Sequence, residues 1–307
     1  MNNVKFLNLN NPNQKAAFVS VMSNASLIVL KVITGFLTGS FSIISEAVHS
    51  TGDILASFIA FFAVKKASEP ADKEHAFGHG KYEDFSGLIE GFLIICAAAY
   101  ISYESILKII KGVHSEINVD GAIYVMIFSI FVNIFVSRFL YKTSKKTGSV
   151  AIFADAEHLR TDVLTSVGIL IGLAIIKFTG NYIIDPFIAL CVSVLIFESG
   201  LKICKKTTSN LLDTSLPTDV EKQIIDLVEN VKTDKIFKVC KLKTRCSGVR
   251  KNIEITVCVD GNMTVNESHQ FCNKAEKALS ETIGNTDTVI HIEPACDKCR
   301  REEKVAI

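Results

Sequence analysis

Ser45-Glu46-Ala47-Val48-His49-Ser50-Thr51-Gly52-Asp53 and Asp155-Ala156-Glu157-His158-Leu159-Arg160-Thr161-Asp162 decide how this chain is read. Each stretch carries a His-x-x-x-Asp inside a long apolar segment. Residues i and i+4 share a helix face, so each pair is half of a metal site. Two such halves facing one another supply two imidazoles and two carboxylates, a tetrahedral donor set of the kind zinc takes. Ionisable groups inside an apolar span are costly to keep there, and they ordinarily mark a functional site.

Six segments surround these motifs, near 16–38, 41–64, 86–110, 120–140, 150–178 and 183–203, each close to the roughly 20 residues that cross a bilayer core. From residue 204 onward the chain is far more polar. The expected architecture is therefore a polytopic α-helical membrane protein with six transmembrane helices, residues 1–210, followed by a small C-terminal α+β domain, residues 211–307. In that tail Asp219–Val231 and Val265–Ile283 have helical spacing. Ile236–Cys246, Ile253–Val259 and Thr288–Ile292 alternate like strands, which gives the order α-β-β-α-β.

Charge distribution sets the orientation. With the N-terminus inside, the inner flanks hold Lys65, Lys66, Lys73, Lys81, Arg138, Lys142, Lys145, Lys146, Lys202, Lys205 and Lys206, besides Lys5 and Lys15. The outer flanks hold Lys108, Lys111 and Lys177. This bias places both termini in the cytosol. The first ten residues are polar and Asn-rich, unlike a cleavable signal peptide. The totals of 33 basic and 32 acidic residues leave no surplus that would suit nucleic acid. In a cytosolic tail the thiols are expected to be reduced.

Helix rise then gives the depth. Counted from Phe41 on the outer side, His49 lies about 12 Å and Asp53 about 18 Å into the bilayer. Counted from Val150 on the inner side, His158 and Asp162 lie at about the same two depths. Both pairs fall near the midplane, where alternating-access transporters keep their substrate. Glu46 and Asp155 each precede a motif His by three residues, on the same face. They either line the ion path or make polar interhelical contacts. Asn24, Lys31, Glu90 and Asn133 either bridge helices or line a cavity and read as structural, and Gly87-x-x-x-Gly91 and Gly168-x-x-x-Gly172 read as close-packing surfaces.

Two further groups of ligand-type residues stand outside the spans. Asp72, His75 and His79 are spaced i, i+3, i+7 in a loop whose glycines let it bend around an ion. In the tail, Cys240, Cys258, His269, His291, Glu293, Cys296 and Cys299 are potential ligands, with Cys296-x-x-Cys299 close to His291-x-Glu293.

Taken together, the chain resembles the cation diffusion facilitator family of divalent-metal exporters. The resemblance rests on Ser45–Asp53, Pro70-Ala71-Asp72 with Phe77-Gly78-His79-Gly80-Lys81, and His158–Asp162, and it extends over nearly the whole chain. It implies a homodimer in a lipid bilayer that exchanges cytosolic Zn2+, or a related ion, for protons. It implies a transport site at His49, Asp53, His158 and Asp162 and a loop site at Asp72, His75 and His79. It also implies a charge interlock of the dimer between Lys81 and Asp213. The tail is similar to the family's ferredoxin-like dimerisation domain, in which ligands recur near Cys240, His269 and His291-x-Glu293. Thr256 stands where some relatives have His. The cell membrane is the expected location.

Imidazole ligands favour Zn2+, Co2+, Cd2+ or Ni2+ over Mn2+, so zinc is the expected substrate, with Fe2+, Cd2+ and Mn2+ left as alternatives. A metal sensor or binding protein without translocation is the rival class. The midplane burial of both pairs argues against it. No H-E-x-x-H arrangement and no ATP-binding Gly-rich loop is present, so neither a metallohydrolase nor an ATP-driven pump is expected.

Overall fold

The computed structural model describes residues 10–38, 41–111, 122–179 and 184–295. Within those helices some side chains, residues 41–49 among them, lie outside the description. The chain divides into two compact units, one ending at Thr208 and the other beginning at Ser209.

The first unit consists of long helices: α1 (Pro12–Thr38), α2 (Phe41–Ala67), α3 (Lys81–Lys111), α4 (Ala122–Thr147), α5 (Val150–Thr179) and α6 (Ile184–Leu211). The shortest has 26 residues, about 39 Å at the α-helical rise and more than the roughly 30 Å hydrocarbon core. Among the described residues four stretches are both long and apolar enough to cross a membrane, in α1, α3, α4 and α6. The other two helices, α2 and α5, carry the paired His and Asp residues. Large apolar side chains such as Phe36, Tyr124 and Phe135 are turned outward, more than 70% exposed, as a lipid-facing surface requires.

The helices run further than the apolar stretches alone predict. Helix α3 begins at Lys81 and not near residue 86, α4 continues to Thr147, and α6 continues to Leu211. At α3 the cause is local: the amides of Tyr82 and Glu83 already bond to the carbonyls of His79 and Gly80. Lysines at the ends of α3 and α4 also suit the negative pole of a helix C-terminus.

Two core clusters hold the bundle together. Ala16, Phe61, Val64, Leu140, Ile152 and Leu159 join α1, α2, α4 and α5. Ile94, Ala98, Ala154, Ile196 and Ile203 join α3, α5 and α6. The α3–α6 approach depends on glycine. A Cβ at Gly87 would stand 2.8 Å from Thr207 Cγ2, and one at Gly91 would stand 2.8 Å from Cys204 Sγ. Gly168 packs in the same way on Val192, whereas the side-chain position at Gly172 lies outside the described residues.

The α4–α5 turn positions one of the two motifs. Gly148 takes φ +78°, and its amide bonds to Ser144 O at 2.8 Å. The next residue, Ser149, caps α5 by accepting from the Ile152 amide at 3.3 Å. Glu83 of α3, 2% exposed, accepts from Ser149 Oγ and from the amides of Val150 and Ala151. The helix N-terminus is thus closed by a carboxylate from its neighbour, which satisfies donors that have no intrahelical partner.

The second unit is α7 (Thr218–Asn230), β1 (Ile236–Ser247), β2 (Arg250–Val259), α8 (Val265–Ile283) and β3 (Thr286–Pro294), the α-β-β-α-β order expected. The sheet order is β1-β2-β3, with β1–β2 antiparallel and β2–β3 parallel, so α8 is the crossover between β2 and β3. Ile253, Ile255, Val257 and Val259 alternate along β2 toward Ile224, Val228, Phe271, Ala275 and Leu279 of the two helices. Helix α8 starts with a capping box between Thr264 and Glu267. Glu267 also pairs with Lys235 at 2.5 Å, and this pairing is the main reason its carboxyl is held down to about 2, ahead of the Thr264 hydrogen bonds.

Candidate metal centre

Asp53 of α2 and His158 and Asp162 of α5 meet inside the helix bundle. Each offers a ligand atom, and these atoms all lie within 4.8 Å of one another. Asp53 Oδ1 is 3.4 Å from His158 Nε2. In a tetrahedral site with metal–ligand bonds of about 2.1 Å, neighbouring ligand atoms stand about 3.4 Å apart, so the pair is already spaced as one edge of such a site. Both ring nitrogens of His158 are buried: Nε2 faces Asp53 Oδ1, and Nδ1 has no hydrogen-bond partner among the described residues. Buried polar atoms are rarely left this way, and an imidazole so placed beside two carboxylates suits a cation. The side chain of His49, the fourth expected ligand, lies outside the described residues, as does that of Glu46.

A cavity of about 340 Å³ opens on this cluster, lined by Asp53 and Asp162 together with Asn24, Lys31, Ser50 and Asn133. Of the two roles open to Asn24, Lys31 and Asn133 from the sequence, bridging helices or lining a cavity, all three take the second, because α1 and α4 pack against the two motif helices. Spacing within α1 or α4 gives no sign of this, since the relationship is entirely between helices.

Asp155 is fully buried beside the cluster. Its Oδ1 accepts from Ser57 Oγ at 3.2 Å, while its Oδ2 has no partner among the described residues. Ser57 in turn accepts from Asn24 Nδ2 at 2.7 Å and lies 3.2 Å from Ser20 Oγ. Glu90 of α3 is likewise fully buried, with Ser86 Oγ 3.4 Å from one oxygen and nothing bonded to the other among the described residues. Ser20 and Ser57 carry no sequence signal of their own. Only the way the α1 and α2 faces meet reveals them.

The second cluster is in the loop before α3. Asp72, His75 and His79 also bring their ligand atoms within 4.8 Å of one another. Asp72 Oδ1 lies 3.4 Å from His75 Nδ1, and Asp72 Oδ2 lies 3.3 Å from His79 Nε2. The loop is ordered around Asp72, whose Oδ1 accepts from the amides of His75 at 2.6 Å and Glu74 at 2.9 Å. The His75 amide is the main reason this carboxyl titrates below the ordinary range, so it is ionised and ready to ligate. The His79 side chain is 1% exposed, and neither of its nitrogens has a hydrogen-bond partner among the described residues. Gly78, at φ +82°, makes the bend that turns His79 back toward Asp72.

The tail residues are less gathered. His291 Nε2 and Glu293 Oε1 stand 3.3 Å apart on β3, both more than half exposed. His269 is exposed on α8 and joins neither described three-residue cluster. Cys240, expected as a ligand and as a reduced thiol, is instead joined to Cys258 in a disulfide, so in this state it offers no thiolate. The cause is register: an irregularity between Val239 and Lys241 brings Cys240 to a Cα–Cα distance of 6.2 Å from Cys258. Cys296 and Cys299 lie outside the described residues. Asp213, at φ +56°, pairs with Arg245 at 3.3 Å, and Lys81 is half-buried at the first position of α3.

Long helices built to cross a bilayer, with half-buried imidazole and carboxylate ligands where two of them meet, define an integral, multi-pass membrane transporter of metal cations. Comparison with known proteins agrees. Residues 17–212 match the family described as the cation efflux transmembrane domain, and residues 216–295 match the cation efflux protein cytoplasmic domain. An uncharacterized transporter of Synechocystis is 34% identical over 92% of this chain and 90% of its own length. An uncharacterized transporter of Methanocaldococcus jannaschii is 30% identical over 91% of this chain and 98% of its own length. The cation-efflux pump FieF of Salmonella newport is 30% identical over 94% of each chain. The chain belongs to the cation efflux, or cation diffusion facilitator, family of divalent-metal exporters.

Proposed function

We propose that this protein exports Zn2+ from the cytosol in exchange for protons, and that His49, Asp53, His158 and Asp162 hold the ion in transit. The observation that carries the reading is the convergence of Asp53, His158 and Asp162, with the imidazole's Nε2 facing Asp53 and its buried Nδ1 unbonded among the described residues. Two imidazoles and two carboxylates favour zinc over the oxygen-preferring Mn2+. Metal binding needs neutral imidazole and ionised carboxylate, so protons arriving from the far side compete with the ion and drive it off.

In this reading both termini are cytosolic, the protein sits in the cell membrane, and it works as a homodimer. Residues 1–210 carry transport, and 211–307 carry dimerisation. Asp155 lines the cytosolic approach to the site and Glu46 the outward path. Asp72, His75 and His79 form a loop site that binds zinc at the cytosolic face. His269, His291 and Glu293, with Cys296 and Cys299, are the tail's ligands. Cys240 joins them only when its disulfide is reduced. Lys81 of one protomer meets Asp213 across the dimer.

The test is zinc uptake into proteoliposomes driven by an imposed pH gradient. Uptake should stop when the gradient is collapsed with a proton ionophore. Uptake that continues at the same rate contradicts the exchange.

A further inference from the structure

Lys31 of α1 is 7% exposed, and its Nζ donates to Ser50 Oγ at 2.8 Å. Ser50 follows His49 directly on α2, and Lys31 and Ser50 line the same cavity as Asp53 and Asp162. The charge of Lys31 acts on Asp162 across that space. A fixed ammonium is an odd component for a site that only binds a cation. Burying it is costly, and once a divalent ion has entered it repels that ion in a setting with little water to screen the repulsion.

We propose that Lys31 is the resident counter-cation of the transport site. It neutralises part of the carboxylate charge when the site is empty, and it weakens the hold on the ion once the site is loaded. The charge balance makes the point. Whatever the protonation of the acids around it, Lys31 makes both the empty and the loaded site one unit more positive than they would be without it. Without Lys31 each state would be one unit more negative, which favours the bound divalent ion over its release. Among the described residues the other polar groups on the cavity wall, Asn24 of α1, Tyr100 of α3, Ser129 and Asn133 of α4, and Thr161, Thr165 and Ser166 of α5, carry no formal charge, so on that wall Asp53 and Asp162 are the carboxylates that the ammonium faces. Lys31 therefore sets affinity against release: tight binding is given up so that the ion leaves.

This inference rests on the reading that the cavity is the transport site, and the experiment separates the two. Zinc is titrated into the full-length protein in nanodiscs, the membrane site being the part of the signal that Asp162→Ala removes. Zinc turnover is measured in proteoliposomes with the same proteins. Lys31→Gln should bind zinc about tenfold or more tightly and turn over more slowly by a similar factor, so KM and kcat fall together. Lys31→Arg, which keeps the charge, should stay near the wild type in both. Where Lys31→Gln is not recovered folded, Lys31→Met, similar in length and without a polar group to satisfy, carries the same expectation. Unchanged or weaker zinc binding in the uncharged variants overturns the proposal. So does tighter binding with undiminished turnover, or an arginine variant that behaves like the glutamine one. If Asp53→Ala and Asp162→Ala transport as well as the wild type, it is the site reading that fails.

Discussion

Asp53 Oδ1 lies 3.4 Å from His158 Nε2, joining α2 to α5 at the point where the two His-x-x-x-Asp motifs face one another. The contact ties two helices that enter from opposite ends of the bundle, and it sets the spacing a small divalent ion needs. The surrounding groups act on this pair through α1, α3 and α4.

Ser57 Oγ donates a hydrogen bond to Oδ1 of the fully buried Asp155. Ser57→Ala removes that donor without changing the helix, so a buried carboxyl loses a partner at a cost of about 1–3 kcal/mol. The expected result is a lower melting temperature and slower zinc uptake. Thermal unfolding of the purified protein, together with the proteoliposome rate, checks both.

The loop site has a defined pH behaviour on its carboxyl side. The folded Asp72 titrates below its ordinary 3.8 because the His75 amide bonds to it. A depressed carboxyl contributes fully above the ordinary value, and its contribution is lost only as the pH falls through the lower folded value. Asp72→Asn keeps an oxygen for the His75 amide but loses the charge, and it should weaken zinc binding at the loop by at least about tenfold. Titrations at pH 7 and pH 5 should show the same ratio between wild type and variant. A ratio that closes at pH 5 would mean that Asp72 is already taking up its proton there.

The start of α5 is expected to be sensitive to its cap. Ser149→Ala removes both the cap and the hydroxyl that bonds to buried Glu83, and it should cost about 0.5–2 kcal/mol. Gly148→Ala has open space for its Cβ, so any loss comes from the φ of +78° alone. It should cost roughly 1 kcal/mol. Denaturant or thermal unfolding in detergent measures both.

Reduction should change the thiol count of the tail. With Cys240 and Cys258 bonded, maleimide labelling of the unfolded, unreduced protein should find two thiols fewer than after reduction. Cys258→Ser should abolish that difference and leave Cys240 free as a ligand. Equal labelling with and without reductant would show the pair unbonded.

Much of this molecule is legible in the sequence where the signal is local. The i, i+4 spacing of His158 and Asp162 puts them on one face, and α5 starts at Val150 as the apolar pattern predicts. The alternation from Ile253 to Val259 gives β2 its core face. The tight loop around Asp72 follows from residues three and seven positions away. What the sequence hides is relational. Whether Lys31, Asn24 and Asn133 bridge helices or line a cavity is not decided until α1 and α4 are packed against the motif helices. The Cys240–Cys258 bond depends on a strand irregularity that no alternation pattern reveals. The extra turns of α3 and α4 are missed because hydropathy marks where apolar residues stop, and helices continue past that point when their ends are hydrogen-bonded or charged.

The assignment of the transport site is tested most directly by zinc transport in proteoliposomes containing Asp53→Ala, His158→Ala or Asp162→Ala. Each variant is first shown to be folded by its thermal unfolding and to bind zinc at the loop site. Each should lose transport by about two orders of magnitude or more while the loop still binds. Transport near the wild-type rate by any of the three would contradict the claim that these residues hold the ion in transit.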